Sequence, residues 1–313
     1  MKKEAKEFPS LTTNRIHVRN ARSGFASILN YHKLNLEKQT TVLMPSYIGW
    51  SPNEGSGLMD PVLESGFTPS FYRLDTSLQP NFDELCRLIS KNPESVLLVV
   101  HYFGLRVEIP NEVIDLANNC NVTLVEDWAH DLSQIDNEKW ISSNHFAIFS
   151  LHKWTASKSG GFISGNHIEI NKLKTLPMDQ ADAEVYIRSN LVKIAEIRWS
   201  NFLYVENQLI GLNRLTHFYA NSRHFTCPLN VPLLANSLSE RHDLYSTLVD
   251  HGIVPTALYH ILVPQLKGPE FETFIDISNR IINLPIHQDC TKNDIDKMIE
   301  VIMDWERQSV GLE

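Results

Sequence analysis

The sequence predicts an α/β fold, with a large domain built on a mostly parallel central sheet and a small C-terminal α+β domain. Three observations carry this. Short β-branched or aliphatic runs recur between residues 40 and 152 with helix-spaced segments between them. Several of those runs are almost continuously apolar, the pattern of strands covered on both faces. After about Gly165 the rhythm changes, and past Gly211 it becomes strand, helix, strand, strand, helix.

Taken in order, the first element is a helix opened by Asn20-Ala21-Arg22-Ser23-Gly24-Phe25, a small-residue turn whose free amides suit an anion. TTVLMP (40–45) and PSFYRLD (69–75) follow as strands. Asn81 caps the next helix, with Phe82, Leu85, Cys86 and Ile89 at helical spacing and Glu84 at the capping-box position. SVLLVVHYF (95–103) is the third strand, and 111–121 a helix with Val113, Leu116 and Ala117 on one stripe. VTLVED (122–127) and HFAIFSLH (145–152) complete the strand series, joined by right-handed crossovers. Residues 166–192 are polar and mixed, and KIAEIRWSNFLYVENQLIG (193–211) reads as one amphipathic helix ending at Gly211. The domains expected are therefore 1–210 and 211–313. In the second, strands are expected at 229–234, 253–261 and 280–287, with a helix at 239–251. Thr291 with Asp294 opens a last helix carrying Ile295, Met298, Ile299 and Ile302.

Composition narrows the function. Of the residues, 42% are apolar and 21% charged, ordinary globular usage. Lys plus Arg number 28 against 37 Asp plus Glu, a formal charge of −9, so neither nucleic acid nor an anionic membrane is an expected partner. The cysteines (Cys86, Cys120, Cys227, Cys290) are too dispersed for a CxxC pair or a disulfide framework. The N-terminal residues lack the apolar core of a secretory leader, and nothing approaches the roughly 20 apolar residues that span a bilayer. A cytoplasmic protein is expected. GxxxxGK[ST], GxSxG, HExxH and GxGxxG are absent, the histidines show no metal-ligand spacing, and no metal is expected.

Three segments carry chemistry, all at strand ends or strand-to-helix turns, where open α/β sheets bind ligands. Val125-Glu126-Asp127-Trp128-Ala129-His130 ends an apolar strand in a carboxylate; alone, Asp127 also reads as a helix cap. Phe149-Ser150-Leu151-His152-Lys153 ends a strand in a lysine, with Ser159-Gly160-Gly161 beyond. Burying an ammonium costs several kcal/mol unless it is paired or neutralised, which a lysine condensed with a carbonyl achieves. The third segment is the turn at Asn20–Phe25. Pyridoxal phosphate needs such a set: a lysine for its aldehyde, a carboxylate for its pyridine nitrogen, a helix N-terminus for its phosphate and an aromatic ring against its face.

The order of motifs resembles the DegT/DnrJ/EryC1/StrS family of sugar aminotransferases, fold-type-I enzymes that use pyridoxal phosphate. Beyond the segments above, the resemblance rests on Met44-Pro45-Ser46-Tyr47, Val100-His101-Tyr102-Phe103-Gly104, Leu284-Pro285-Ile286-His287 and Thr291 with Asp294-Ile295. It implies that Lys153 condenses with the cofactor, Asp127 pairs with the pyridine nitrogen and His130 contacts the ring hydroxyl. Ser150 and the Arg22 and Ser23 amides would hold the phosphate region. Tyr47 would be the stacking ring, with Trp50 the alternative. The serine-to-lysine gap is three where the family has five, which leaves Lys158 as a competing lysine. The resemblance further implies an amino donor such as glutamate, a keto-sugar acceptor linked to a nucleotide, a place in surface polysaccharide or secondary-metabolite sugar biosynthesis, and a homodimer. A segment the family uses between subunits, N-Y-R-M, is missing after residue 165, so a cofactor-binding regulatory homologue that does not transaminate is the alternative.

Overall fold

A computed structural model of the chain describes residues 14–34, 40–136, 144–219, 225–256 and 258–308. A seven-stranded sheet has the order β1-β7-β6-β5-β4-β2-β3. Its strands are β1 (Arg15–Val18), β2 (Thr41–Pro45), β3 (Thr68–Tyr72), β4 (Val96–Val100), β5 (Thr123–Asp127), β6 (His145–Ser150) and β7 (Gly161–Gly165). The β3-β2-β4-β5-β6 block is parallel, and β7 and β1 extend it with antiparallel pairs. This is the α/β fold with a mostly parallel sheet that the sequence predicts. Because β2 pairs with β3 on one side and β4 on the other, the chain reverses its direction of travel across the sheet at β2/β4. The crevice beyond the strand C-termini opens at such a reversal.

The continuous apolar strands serve two faces by alternation. Val42, Met44, Val96, Leu98, Val100, Val125, Phe146 and Ile148 join one core with α1 (Ala21–Leu34) and α2 (Met59–Glu64). Leu43, Leu97, Val99 and Leu124 join another with α3 (Phe82–Lys91) and α4 (Asn111–Asn119). Each such side chain, fully buried, contributes on the order of 1.5–3 kcal/mol. Asn81 caps α3 as expected, accepting from the Glu84 amide at 3.0 Å, but the Glu84 carboxylate bonds Arg73 instead of closing the box.

Residues 166–190 contain two helices that sequence spacing does not reveal, α5 (His167–Ile170) and α6 (Gln180–Arg188). The long helix α7 spans Leu191–Gln208 and ends short of Gly211. A second, antiparallel sheet of order β10-β9-β8 follows, from β8 (Leu215–His217), β9 (Asn230–Ala235) and β10 (Ile281–Pro285). It packs with α8 (Leu238–Asp250), α9 (Glu272–Arg280) and α10 (Lys292–Arg307), the last opened by the complete Thr291/Asp294 capping box. The strand expected at 253–261 is not one. Pro255 has no amide to give, Tyr259 adopts φ 59°, and Ala257 lies outside the described residues. The segment instead crosses to the loop after β2, where Gly49 pairs with Leu262. Among the described residues no helix is long and apolar enough to cross a membrane, and no group of three or more His, Cys, Asp or Glu could hold a metal.

Candidate active site

Alternation along β5 and β6 decides which polar side chains meet. Val125 and Ile148 face α1, so Asp127 and Ser150, two positions on, face it too. Their strands are in register, with Asp127 opposite Ile148. The N-terminus of α1 lies at the same edge because β7 begins against it. Gly161 allows that approach, since a Cβ there would stand 2.8 Å from the Ala21 nitrogen and 2.6 Å from the Phe149 carbonyl oxygen. The Gly160 amide donates to the Arg19 carbonyl at 2.7 Å and the Ser159 hydroxyl to the same oxygen at 2.8 Å.

These elements enclose a cavity of about 650 Å³, lined by Arg22, Asp127, Ser150, Lys153, Trp50 and Tyr259 among others. A pocket of this size suits a cofactor or small ligand. Asp127 is buried and accepts the Ala129 amide at 2.8 Å. Burial pushes its carboxyl pKa up, while the charge of Lys153, the Ala129 amide and His101 oppose the rise. Burial pulls the Lys153 pKa down, with Asp127 and Glu54 opposing. The two groups thus share one cavity, each favouring the other's charged form. Lys158 also borders the cavity, but its side chain is exposed and its amide is fixed by Asp182 at 2.9 Å.

The other expected residues divide. Ser150 lines the cavity, its hydroxyl 3.1 Å from His152 Nδ1. Arg22 lines it as well, its guanidinium donating to the Glu54 carbonyl at 2.5 Å. The Ser23 amide is spent on the Asn20 side chain at 2.8 Å, so of the expected pair only Arg22 borders the space. His130 does not border it. Its Nδ1 accepts the Phe103 amide at 2.8 Å, which leaves Nε2 as the ring donor, and burial then the Lys153 charge hold its pKa well below the usual value. Tyr47 is wholly enclosed, with Tyr102, Tyr259 and Phe274 rings around it at 5.0–5.5 Å. Trp50, the alternative ring, does line the cavity.

Three contributors escape sequence reasoning. Tyr259 and Glu54 sit in segments without periodicity and reach the cavity only through chain pairing. Arg198, on α7, is buried with its Nη2 3.0 Å from the Lys153 carbonyl oxygen and its guanidinium 4.8 Å from the Trp154 ring centre. Only its helix was legible.

Solved structures share this arrangement of elements. The sugar aminotransferase CalS13 from Micromonospora echinospora is 15% identical, with a TM-score of 0.69 over 93% of this chain and 87% of that one. DesV from S. venezuelae, solved in complex with a ketimine intermediate, is 16% identical, with a TM-score of 0.72 over 93% and 84%. PseC from Helicobacter pylori, an aminotransferase involved in the biosynthesis of pseudoaminic acid, is 14% identical, with a TM-score of 0.69 over 94% and 87%. At these identities the likeness is one of fold. The sequence model of the DegT/DnrJ/EryC1/StrS aminotransferase family matches residues 4–176, more than half of the chain and the part that carries Arg22, Asp127, Ser150 and Lys153. The chain belongs to the DegT/DnrJ/EryC1/StrS aminotransferase family.

Proposed function

We propose that the chain is a pyridoxal-phosphate-dependent aminotransferase that delivers an amino group to a keto-sugar, nucleotide-linked, with glutamate as donor. The observation that carries the reading is the meeting of Asp127 and Lys153 in one cavity at the end of the parallel strands, beside the N-terminus of α1. When bound, the cofactor supplies an aldehyde that condenses with amines and a cationic ring that takes up electrons.

The chain's own groups do the rest. Asp127 would accept the pyridine N–H and keep that nitrogen protonated; burial raises its pKa, while the Lys153 charge and the Ala129 amide favour its charged form. Lys153, its pKa lowered by burial, has more free amine at neutral pH than an exposed lysine, and would be the amine that holds the cofactor's aldehyde carbon. Its Nζ would also be the group that takes up and returns the proton of the amine-bearing carbon. The α1 N-terminus with Arg22 and Ser150 would hold the phosphate. His130, which stands behind Tyr259 and does not border the cavity, keeps its Nε2–H as ring donor and would contact the ring hydroxyl only if the Tyr259 side gave way. We further propose division near Gly211 into domains 1–210 and 211–313, a homodimer in solution and a cytoplasmic location.

An absorbance spectrum of purified protein before and after glutamate tests the reading. A visible band that glutamate shifts is expected, and Lys153→Ala should lose both band and turnover. A protein that takes up no pyridoxal phosphate would overturn it. A band that no amino donor changes would favour the regulatory alternative.

A further inference from the structure

Besides the His152 imidazole, three larger rings stand near the cavity: Tyr47, Trp50 and Tyr259. Tyr47 has no exposed surface, so it can touch no ligand without the core opening. Trp50 and Tyr259 both border the space, Trp50 from the loop after β2 and Tyr259 from the segment that pairs with that loop. Tyr259 lies among the groups around Asp127: its ring centre is 5.8 Å from that of His130 and 5.6 Å from that of Phe103, and the Asp127 charge adds to burial in raising its hydroxyl pKa. Tyr47 packs behind it, ring centres 5.0 Å apart and 34° from parallel.

The backbone pins this ring in position. Tyr259 adopts φ 59°, a left-handed conformation costing a bulky residue on the order of 1–3 kcal/mol, and such strain persists only where the surroundings over-determine it. Here they do. The Trp50 amide donates to the Ile261 carbonyl and the Val263 amide to the Ile48 carbonyl, each at 2.9 Å, around the Gly49–Leu262 bridge. Gly49 also vacates the space the ring fills, because a Cβ there would lie 2.8 Å from Tyr259 Cδ1.

From this we infer that Tyr259, carried in from the C-terminal part of the chain, is the aromatic wall against the pyridine ring, with Tyr47 as its backing and Gly49 as the gap that admits it. The inference rests on the cofactor reading above. A heterocycle whose nitrogen meets Asp127 would lie at the end of β5, and Tyr259 borders the cavity with its ring packed on His130, three residues beyond Asp127. Trp50 lines the same cavity and is assigned to the rest of the substrate.

The test is equilibrium titration of cofactor-free protein with pyridoxal phosphate, followed by the visible band and its induced circular dichroism, without substrates. Tyr259→Phe should bind within about threefold of wild type, since the ring face remains. Tyr259→Leu, which keeps bulk without a π face, should bind about tenfold more weakly or worse with a diminished dichroic band. Should Tyr259→Leu fail to fold by far-ultraviolet dichroism, Gly49→Ala displaces the ring from the other side and should weaken binding likewise. Trp50→Ala should leave the dissociation constant within about threefold. Wild-type affinity in folded Tyr259→Leu or Gly49→Ala, or a loss confined to Trp50→Ala, overturns the assignment while the cofactor reading stands. Wild-type protein that binds no cofactor overturns both.

Discussion

Glu126 and Asp127 adjoin in sequence but face opposite sides of the sheet, because strand side chains alternate. Asp127 turns to the cavity. Glu126 turns away and accepts from His101 Nε2 at 2.8 Å and His145 Nε2 at 2.7 Å. His101 Nδ1 accepts the Val107 amide at 3.0 Å, so its Nε2 carries the proton, and the imidazole stacks on Trp128 with ring centres 3.4 Å apart. Burial alone would push the Glu126 pKa up, yet the two histidine hydrogen bonds prevail and hold it well below the carboxylate range. A carboxylate with a depressed folded pKa adds stability that is fully present above its unfolded pKa, about 4.3, and is lost as pH falls through the folded value. Glu126→Gln, which must turn its NH2 toward one of the two donors, should destabilise the protein by about 2–3 kcal/mol at pH 7. The gap in urea midpoints should hold from pH 7 to 5 and narrow below about pH 4. A gap that widens on acidification would contradict this. Of the residues at the site, Asp127 and Lys153 were legible in the sequence because a charge ending an apolar strand is locally anomalous. Tyr259 was not, because its position depends on backbone pairing with a loop near the other end of the chain.

At the scale of elements, the turn after β4 shows how a motif glycine earns its place. The sequence extends this strand to Phe103, but it ends at Val100. Tyr102–Gly104 make a 3-10 turn in which Phe103 has φ 58° and Gly104 φ 91°. The turn then docks on the segment before β9, with the Thr226 amide bonding the Gly104 carbonyl and the Leu229 amide the Phe103 carbonyl, each at 2.9 Å. A Cβ on Gly104 would lie 2.0 Å from the Cys227 carbonyl oxygen, a backbone atom that cannot swing aside. Gly104→Ala should therefore cost about 2–4 kcal/mol, from left-handed strain plus overpacking, read as a lower urea midpoint at unchanged slope. An unchanged midpoint would mean that the docking contact is dispensable. Elements fixed by local pattern were legible: the five apolar strands from β2 to β6, α3 with its Asn81 cap and α10 with its capping box. β1, β7 and β8 were not, being three to five residues long with little alternation. They are strands because neighbours already in place offer them edges. The supposed strand at 253–261 failed for the converse reason, since its β-branched residues lack a continuous partner.

At the scale of the whole molecule, a buried cation joins stretches that are distant in sequence. Arg198 on α7 donates to the Lys153 carbonyl at 3.0 Å, the Leu229 carbonyl at 3.1 Å and the Gln288 side chain at 3.3 Å. Gln288 in turn donates to the Trp154 carbonyl at 3.1 Å. The loop that carries Lys153, the approach to β9 and the chain after β10 thus share one guanidinium. Burial lowers the Arg198 pKa, but an arginine remains charged, and its fork satisfies several acceptors at once. Arg198→Met keeps apolar bulk over Trp154 and removes every donor. Two partly buried carbonyls then lose a partner, at about 1–2 kcal/mol each, so a loss of about 2–4 kcal/mol in urea unfolding is expected. Arg198→Lys should recover part of it, since an ammonium can reach one carbonyl but not span both. A consequence for the site separates this junction from mere packing. If the guanidinium steadies the Lys153 backbone, cofactor should raise the unfolding midpoint of Arg198→Met less than that of wild type at equal concentration, because ligand stabilisation follows affinity. Equal shifts in the two proteins would mean that Arg198 joins the two sheets without holding the lysine in place.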